Sequence, residues 1–185
     1  EGYLFPETYA LPRGATADDL VEAMLAQFRR TFDDALLAQA AEQEMTVRQV
    51  VTLASLIQRE TGQDDERPIV SAVYRNRLDR RMPLQCDPTV IYALLLDGLY
   101  DGNLTRENLR YDSPYNTYVY PGLPPGPIAA PGAADLRAAL APADVSYVYF
   151  VSRNDGSHVF ADTLREHNRN VREYQVEYFR RRRGR

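Results

Sequence analysis

The chain has 185 residues, 44% hydrophobic and 26% charged, which fits one folded domain able to bury roughly 70% of the surface its unfolded form exposes. A net charge of −4 supplies no basic face for a general nucleic-acid binder. One cysteine, Cys86, excludes an intrachain disulfide and a thiolate zinc centre, and two histidines, His158 and His167, are too few for a His-rich metal site.

The chain opens on EGYLFPETY, with no initiator Met, no signal peptide and no long apolar run, and so reads as an excised fragment. Residues 1–14 are extended and turn-rich. Thr16 with Asp19 reads as a capping pair that opens a helix of about 17–30, and a second, Ala- and Leu-rich helix follows at about 33–43. Thr46 caps a strong helix of about 47–60 that ends near Gly62. Asp64 or Asp65 with Pro68 opens the next, about 66–80. Asp87-Pro88 reads as an N-cap and first-turn proline for a helix of about 88–97, and a helical turn falls near 105–110.

Residues 111–132, YDSPYNTYVYPGLPPGPIAAPG, hold six of the twelve prolines; their Tyr and Leu content predicts an ordered, rigid loop. A short helix of about 133–141 stops at Pro142. SYVYFVS and SHVFA, joined by Asn154-Asp155-Gly156, then read as a β-hairpin, and a last helix runs from about 162 to 182. The arginine-rich end, Arg180 to Arg183 plus Arg185, is either a solvated helix end or a basic contact for an acidic polymer or lipid. The class is α+β, mostly helical, with a small antiparallel sheet.

On the helix of 47–60, at about 100° per residue, Val47, Val50, Val51, Ala54 and Ile57 form one apolar stripe that takes in Gln58. Leu53 and Leu56 form a second, with Glu60 between them. A helix apolar over most of its circumference is central, which leaves Glu60 as a carboxylate beside leucines near a helix end. Desolvation and the negative end of the helix dipole both disfavour its ionised form, the condition a general acid needs. Periodicity also admits a surface Glu60 paired with Arg59 or Arg67.

EGYLFPETY, LASLIQRET, VYRNRL, LQCDPTVIY, SPYNTYVYPGLPPGPI, YVYFV and EHNRNV together resemble, in order and spacing, the YceG-like endolytic murein transglycosylases. The resemblance covers nearly the whole chain as one catalytic domain and implies a mostly helical α+β fold with a lysozyme-like cleft. It implies an enzyme without metal or cofactor that cuts the glycan strands of nascent peptidoglycan internally and leaves 1,6-anhydro-N-acetylmuramic acid ends. It further implies a bacterial membrane location with this domain on the extracytoplasmic side. The anchoring helix and LysM-like subdomain of such proteins are not in this chain, and peptidoglycan synthases are the expected protein partners. The family's acid, the Glu before Thr, falls on Glu60. Many relatives carry a second Glu at the position of Gln58, about 200° around the helix from Glu60. Others carry a small polar residue where Ala130 stands.

Gln85, Tyr115, Asn116, Thr117 and Tyr118 are the polar substrate-binding candidates, neutral dipoles for the positive charge that grows on the sugar, and the tyrosines flanking Asn116 also offer ring faces to the C–H faces of pyranoses. Asp87 and Tyr92 join them as substrate-binding candidates, although Asp87 also reads as an N-cap and Tyr92 as core. Glu1 and Tyr3 lie in a segment typical of the family and can serve simply to dock it. His158, in a strand, reads more readily as a satisfied structural residue. Two other functions compete: a glycan-binding module without activity, and a hydrolytic muramidase that uses Glu60 with Asp87 or Asp112. A protease finds no Ser/His/Asp or Cys/His arrangement.

Overall fold

A computed structural model describes residues 1–183; Gly184 and Arg185, the end of the arginine-rich tail, lie outside the described residues. Seven helical stretches and one hairpin account for most of the predicted elements. Helix α1 (Ala17–Thr31) opens on the expected capping box, with the Asp19 carboxylate accepting the Thr16 backbone N–H at 2.7 Å. Helix α2 (Asp34–Glu42) is capped by Asp33. Helix α3 (Val47–Glu60) starts with a second capping box, Thr46 with Gln49, and residues 50–57 are all buried. That burial is what its two apolar stripes require, and α3 packs on α2, α4 (Arg67–Asp79), α5 (Asp87–Leu96) and most closely on α6 (Ala133–Leu140).

Two predicted caps are corrected. Glu66, not Asp64 or Asp65, stands at the N-cap of α4, and it makes no side-chain cap. Asp64 instead pairs with Arg67, whose Nε also donates to Asp135 on α6 at 2.7 Å. Cys86, not Asp87, is the N-cap of α5, again with no side-chain cap. Asp87 is thereby the first helical residue, and its carboxylate is free for other work.

Residues 111–132 are ordered and packed, and the turn near 105–110 is a single 3-10 turn, Asn108–Arg110. The Ile128 N–H donates to Ser55 Oγ at 3.0 Å, which ties the proline loop to α3. Gly2 (φ 85°) lies against the same seam, where a Cβ would come within 2.4 Å of Pro127 and 2.8 Å of Val51. The first residues therefore dock on the core through a close backbone approach that only glycine allows.

Strands β1 (Tyr149–Ser152) and β2 (His158–Ala161) pair antiparallel, with Phe150 opposite Phe160 and Ser152 opposite His158. They are shorter than predicted: the Val148 N–H still reaches the Ala161 carbonyl at 3.1 Å, but the carbonyls just before β1 turn to α4. Asn76 Nδ2 donates to the carbonyls of Val145 and Tyr147, and Arg77 Nε to that of Val148 at 2.6 Å. The VYRNRL segment thus fastens the hairpin across α4. The last helix is not uniform. It comprises α7 (Leu164–Val171), a π-helical stretch (Arg172–Glu177) and α8 (Tyr178–Arg183). No helix among the described residues is long and apolar enough to cross a membrane.

Candidate active site

Glu60 ends α3, and Thr61 at once turns the backbone into an extended conformation. The Glu60 carboxylate is half-buried, and its Oε1 accepts a hydrogen bond of 2.8 Å from Tyr74 Oη on α4. Burial pushes the Glu60 carboxyl above the ordinary glutamate range, and the negative charge of Asp87 adds to that. Hydrogen bonds from Cys86 and Tyr74, and the nearby His158, oppose the rise without cancelling it. Tyr74 and Cys86 are themselves pushed well above their usual values, first by burial, so both are fixed as neutral donors beside Glu60. The alternative of a surface Glu60 paired with Arg59 or Arg67 does not hold, because Arg67 is committed to Asp64 and Asp135 and no ion pair joins Glu60 to Arg59.

In front of Glu60 lies an open cavity of about 450 Å³, a size suited to a small ligand or part of a polymer. Gln85, Asp87 and Tyr118 form one side, the hairpin with Phe150 and His158 another, and His167 and Gln175 of the C-terminal helix close it. The Gln85 backbone is held at φ 52°, a left-handed conformation rare outside glycine. Its N–H donates to the Thr117 carbonyl, and its Oε1 accepts from Arg77 Nη1. Tyr118 Oη donates to Asp87 Oδ1 at 2.5 Å; burial, and then that bond, raise its phenol pKa far above the usual value. Arg77 is buried, and its guanidinium lies 5.3 Å from the centre of the Tyr149 ring, on which His167 stacks. Burial lowers the pKa of Arg77; burial, and then the Arg77 charge, lower that of His167, which favours a neutral imidazole.

Of the residues singled out from sequence, Gln85, Asp87 and Tyr118 share the cavity with Glu60. Tyr92 and Tyr115 do not. Their rings pack on each other, with centroids 4.9 Å apart, and against the core. Asn116 and Thr117 are fully buried, and neither side chain lines the cavity. Asn116 shapes the loop by donating to the carbonyls of Leu109 and Tyr111 and accepting from Tyr118 N–H. Thr117 Oγ1 accepts from Cys86 N–H at 3.0 Å and bonds Thr89 Oγ1, which sets Cys86 beside Glu60. Both are supports for the site. Asp112 is exposed on the proline loop and accepts from Tyr120 Oη, away from the cavity, as are Gln58 and Ala130.

Tyr74, Arg77, His167 and Gln175 were not apparent from sequence. Tyr74 and Arg77 lie on a buried helix whose pattern reads as core, and Gln175 faces the cavity only through the π-helical stretch. His158 is indeed satisfied on one ring nitrogen, as expected, but its ring also lines the cavity.

The YceG-like family model matches residues 1–173. An endolytic murein transglycosylase of Bacillus subtilis (strain 168) is 39% identical over 175 residues, covering 94% of this chain and 48% of that protein. Its namesake in Streptococcus pneumoniae serotype 2 is 32% identical over 180 residues, covering 94% of this chain and 32% of that protein. The chain therefore spans between about a third and a half of these relatives' length. A crystal structure of a yceG-like protein from Listeria monocytogenes superposes with a TM-score of 0.83 at 36% identity, covering 91% of this chain and 54% of that one.

Proposed function

The chain belongs to the YceG-like family, and from that premise we propose that it is the catalytic domain of a lytic transglycosylase that cuts peptidoglycan strands internally, with Glu60 as its acid and then its base. The observation that carries the reading is a carboxyl group raised in pKa by burial, free of any cationic side-chain partner among the described residues, and facing an open cavity.

Protonated Glu60 gives its proton to the oxygen that joins muramic acid to the next glucosamine. As that bond to the anomeric carbon breaks, positive charge grows on the sugar. The muramic C6 hydroxyl then bonds to the same carbon and returns a proton to Glu60, so neither water nor a net proton is consumed. Because the nucleophile belongs to the sugar itself, proximity supplies much of the rate, provided the cleft holds the ring bent. No second carboxylate at glycosidase spacing is needed to activate water. Tyr118, braced by Asp87, offers a ring face and a fixed hydroxyl at one side of the cleft, and Gln85 offers an exposed amide.

The substrate places the work on the cell-wall side of the bacterial membrane. Tethering to the membrane and coupling to peptidoglycan synthases belong to the same reading of the longer protein. Digestion of purified peptidoglycan by the wild-type chain and by Glu60→Gln, with the products weighed by mass spectrometry, tests it. The reading expects anhydro ends from the wild type and no cleavage by the variant. Ends heavier by one water would make the enzyme a hydrolytic muramidase, and a wild type that binds glycan without cutting would make it a binding module.

A further inference from the structure

Glu66 and His158 lie 92 residues apart in the chain and form a closed pair beside Glu60. Glu66 is 7% exposed, and its carboxylate accepts three hydrogen bonds: Thr61 Oγ1 at 3.0 Å, the His158 backbone N–H at 2.7 Å and His158 Nδ1 at 2.7 Å. A carboxylate only accepts, so the Nδ1 of His158 carries the ring proton and the lone pair of the neutral ring sits on Nε2. Nε2 has no partner among the described residues, while the ring packs edge-on to Phe150 and lines the cavity. Glu60 and His158 line the same cavity. An imidazole oriented by a buried carboxylate, with one unpartnered nitrogen on a ring that lines the cleft, is more than a core contact requires.

We propose that His158, oriented by Glu66, is the hydrogen-bond acceptor for the 2-acetamido N–H of the sugar whose anomeric carbon reacts. The inference rests on the transglycosylase reading of the cleft and deepens it. In that reading the C6 hydroxyl gives its single proton to Glu60 and cannot serve His158 as well. The acetamido N–H is the other donor next to the anomeric carbon. It grows more acidic as positive charge develops there, and still more if the acetamido oxygen closes on that carbon. A bond from this N–H to Nε2, backed by Glu66, strengthens towards the transition state and so acts on kcat. No bond is made to His158 and no proton leaves the sugar through it.

The test is His158→Asn in the intact chain. The Asn amide reaches the place of Nδ1 and keeps the bond to Glu66, but removes Nε2. Expected is a fall in kcat of about a hundredfold with KM within about threefold, and an unfolding midpoint within about 3 °C of wild type. Glu66→Gln should lower kcat as well, because its amide N–H moves the ring proton to Nε2 and turns the acceptor into a donor. Nitrogen-15 imidazole spectra read this directly: Nδ1 protonated in wild type, Nε2 in Glu66→Gln. A muramoyl thiazoline, whose protonated ring nitrogen imitates the acetamido N–H, should bind His158→Asn about tenfold more weakly, with chitooligosaccharide binding unchanged. A variant that keeps kcat within threefold of wild type, unchanged thiazoline affinity, or a wild-type neutral ring protonated at Nε2 would overturn the proposal. If His158→Asn fails to fold, Glu66→Gln and the wild-type spectrum decide. A wild type that yields no anhydro ends defeats the transglycosylase reading itself, whereas anhydro ends from wild type and His158→Asn alike defeat this inference alone.

Discussion

Replacing Tyr74 by Phe isolates one contribution to the acidity of Glu60. The buried Tyr74 phenol donates to Glu60 Oε1 at 2.8 Å in a part-buried contact, and this bond favours the ionised carboxyl. A hydrogen bond to a charged group is worth about 1.5–3 kcal/mol. At about 1.4 kcal/mol per unit, its loss moves the Glu60 pKa up by about one to two units, on top of the rise already caused by burial. The proposed reaction needs the proton at the start, so kcat/KM falls as pH rises through the Glu60 pKa, and Tyr74→Phe should carry that alkaline limb upward by a unit or more. Stability should follow the same sign. A carboxyl whose folded pKa lies above its unfolded one adds stability that is fully present below the unfolded pKa and is lost as pH rises through the folded pKa. The variant should therefore match wild type in denaturant melts in acid and fall behind it by about 1.5–3 kcal/mol above neutrality. An alkaline limb that stays in place, or moves to lower pH, would refute the reasoning.

Asp87→Asn should act in the opposite direction: the charge of Asp87 raises the Glu60 pKa, so removing it lowers the pKa and pulls the alkaline limb of kcat/KM to lower pH. Thr117→Val deprives Cys86 N–H and Thr89 of a buried partner and should destabilise the chain by about 1–3 kcal/mol in urea unfolding, while the folded fraction keeps its glycan affinity. A stable Thr117→Val with weakened glycan binding would instead mean that Thr117 touches substrate. Gly2→Ala forces a Cβ onto Pro127 at a positive φ and should lower stability by about 1–3 kcal/mol in thermal or urea melts, with kcat of the folded enzyme little changed.

The elements of this fold were readable wherever local chemistry decides them. Thr16 with Asp19 and Thr46 announced their helices because a capping box is a contact within three residues, and the stripes of 47–60 showed a central helix. Caps failed where other partners competed: Asp64 turned to the Arg67 side chain three residues on, and Asp87 to Tyr118 across the fold. That Glu60 lies beside leucines near a helix end follows from its spacing, whereas its contact with Tyr74 and Cys86 depends on how α3, α4 and the 84–87 segment meet. The tyrosine-bearing loop, of which Tyr118 lines the cavity, was legible only in part for a related reason. Polar side chains on an irregular segment look available for a ligand, but an ordered loop must satisfy its own buried backbone, and Asn116 and Thr117 are spent on that. The Glu66–His158 pair spans 92 residues, and no periodicity could reveal it.

The central claim is that burial keeps the Glu60 carboxyl partly uncharged at the cleft. Carbon-13 NMR titration of side-chain-labelled glutamates, with the Glu60 signal assigned by its loss in Glu60→Gln, measures this directly. The account predicts that this carboxyl titrates above the ordinary glutamate range and that its midpoint matches the alkaline limb of kcat/KM. A Glu60 midpoint at or below the ordinary range would contradict it.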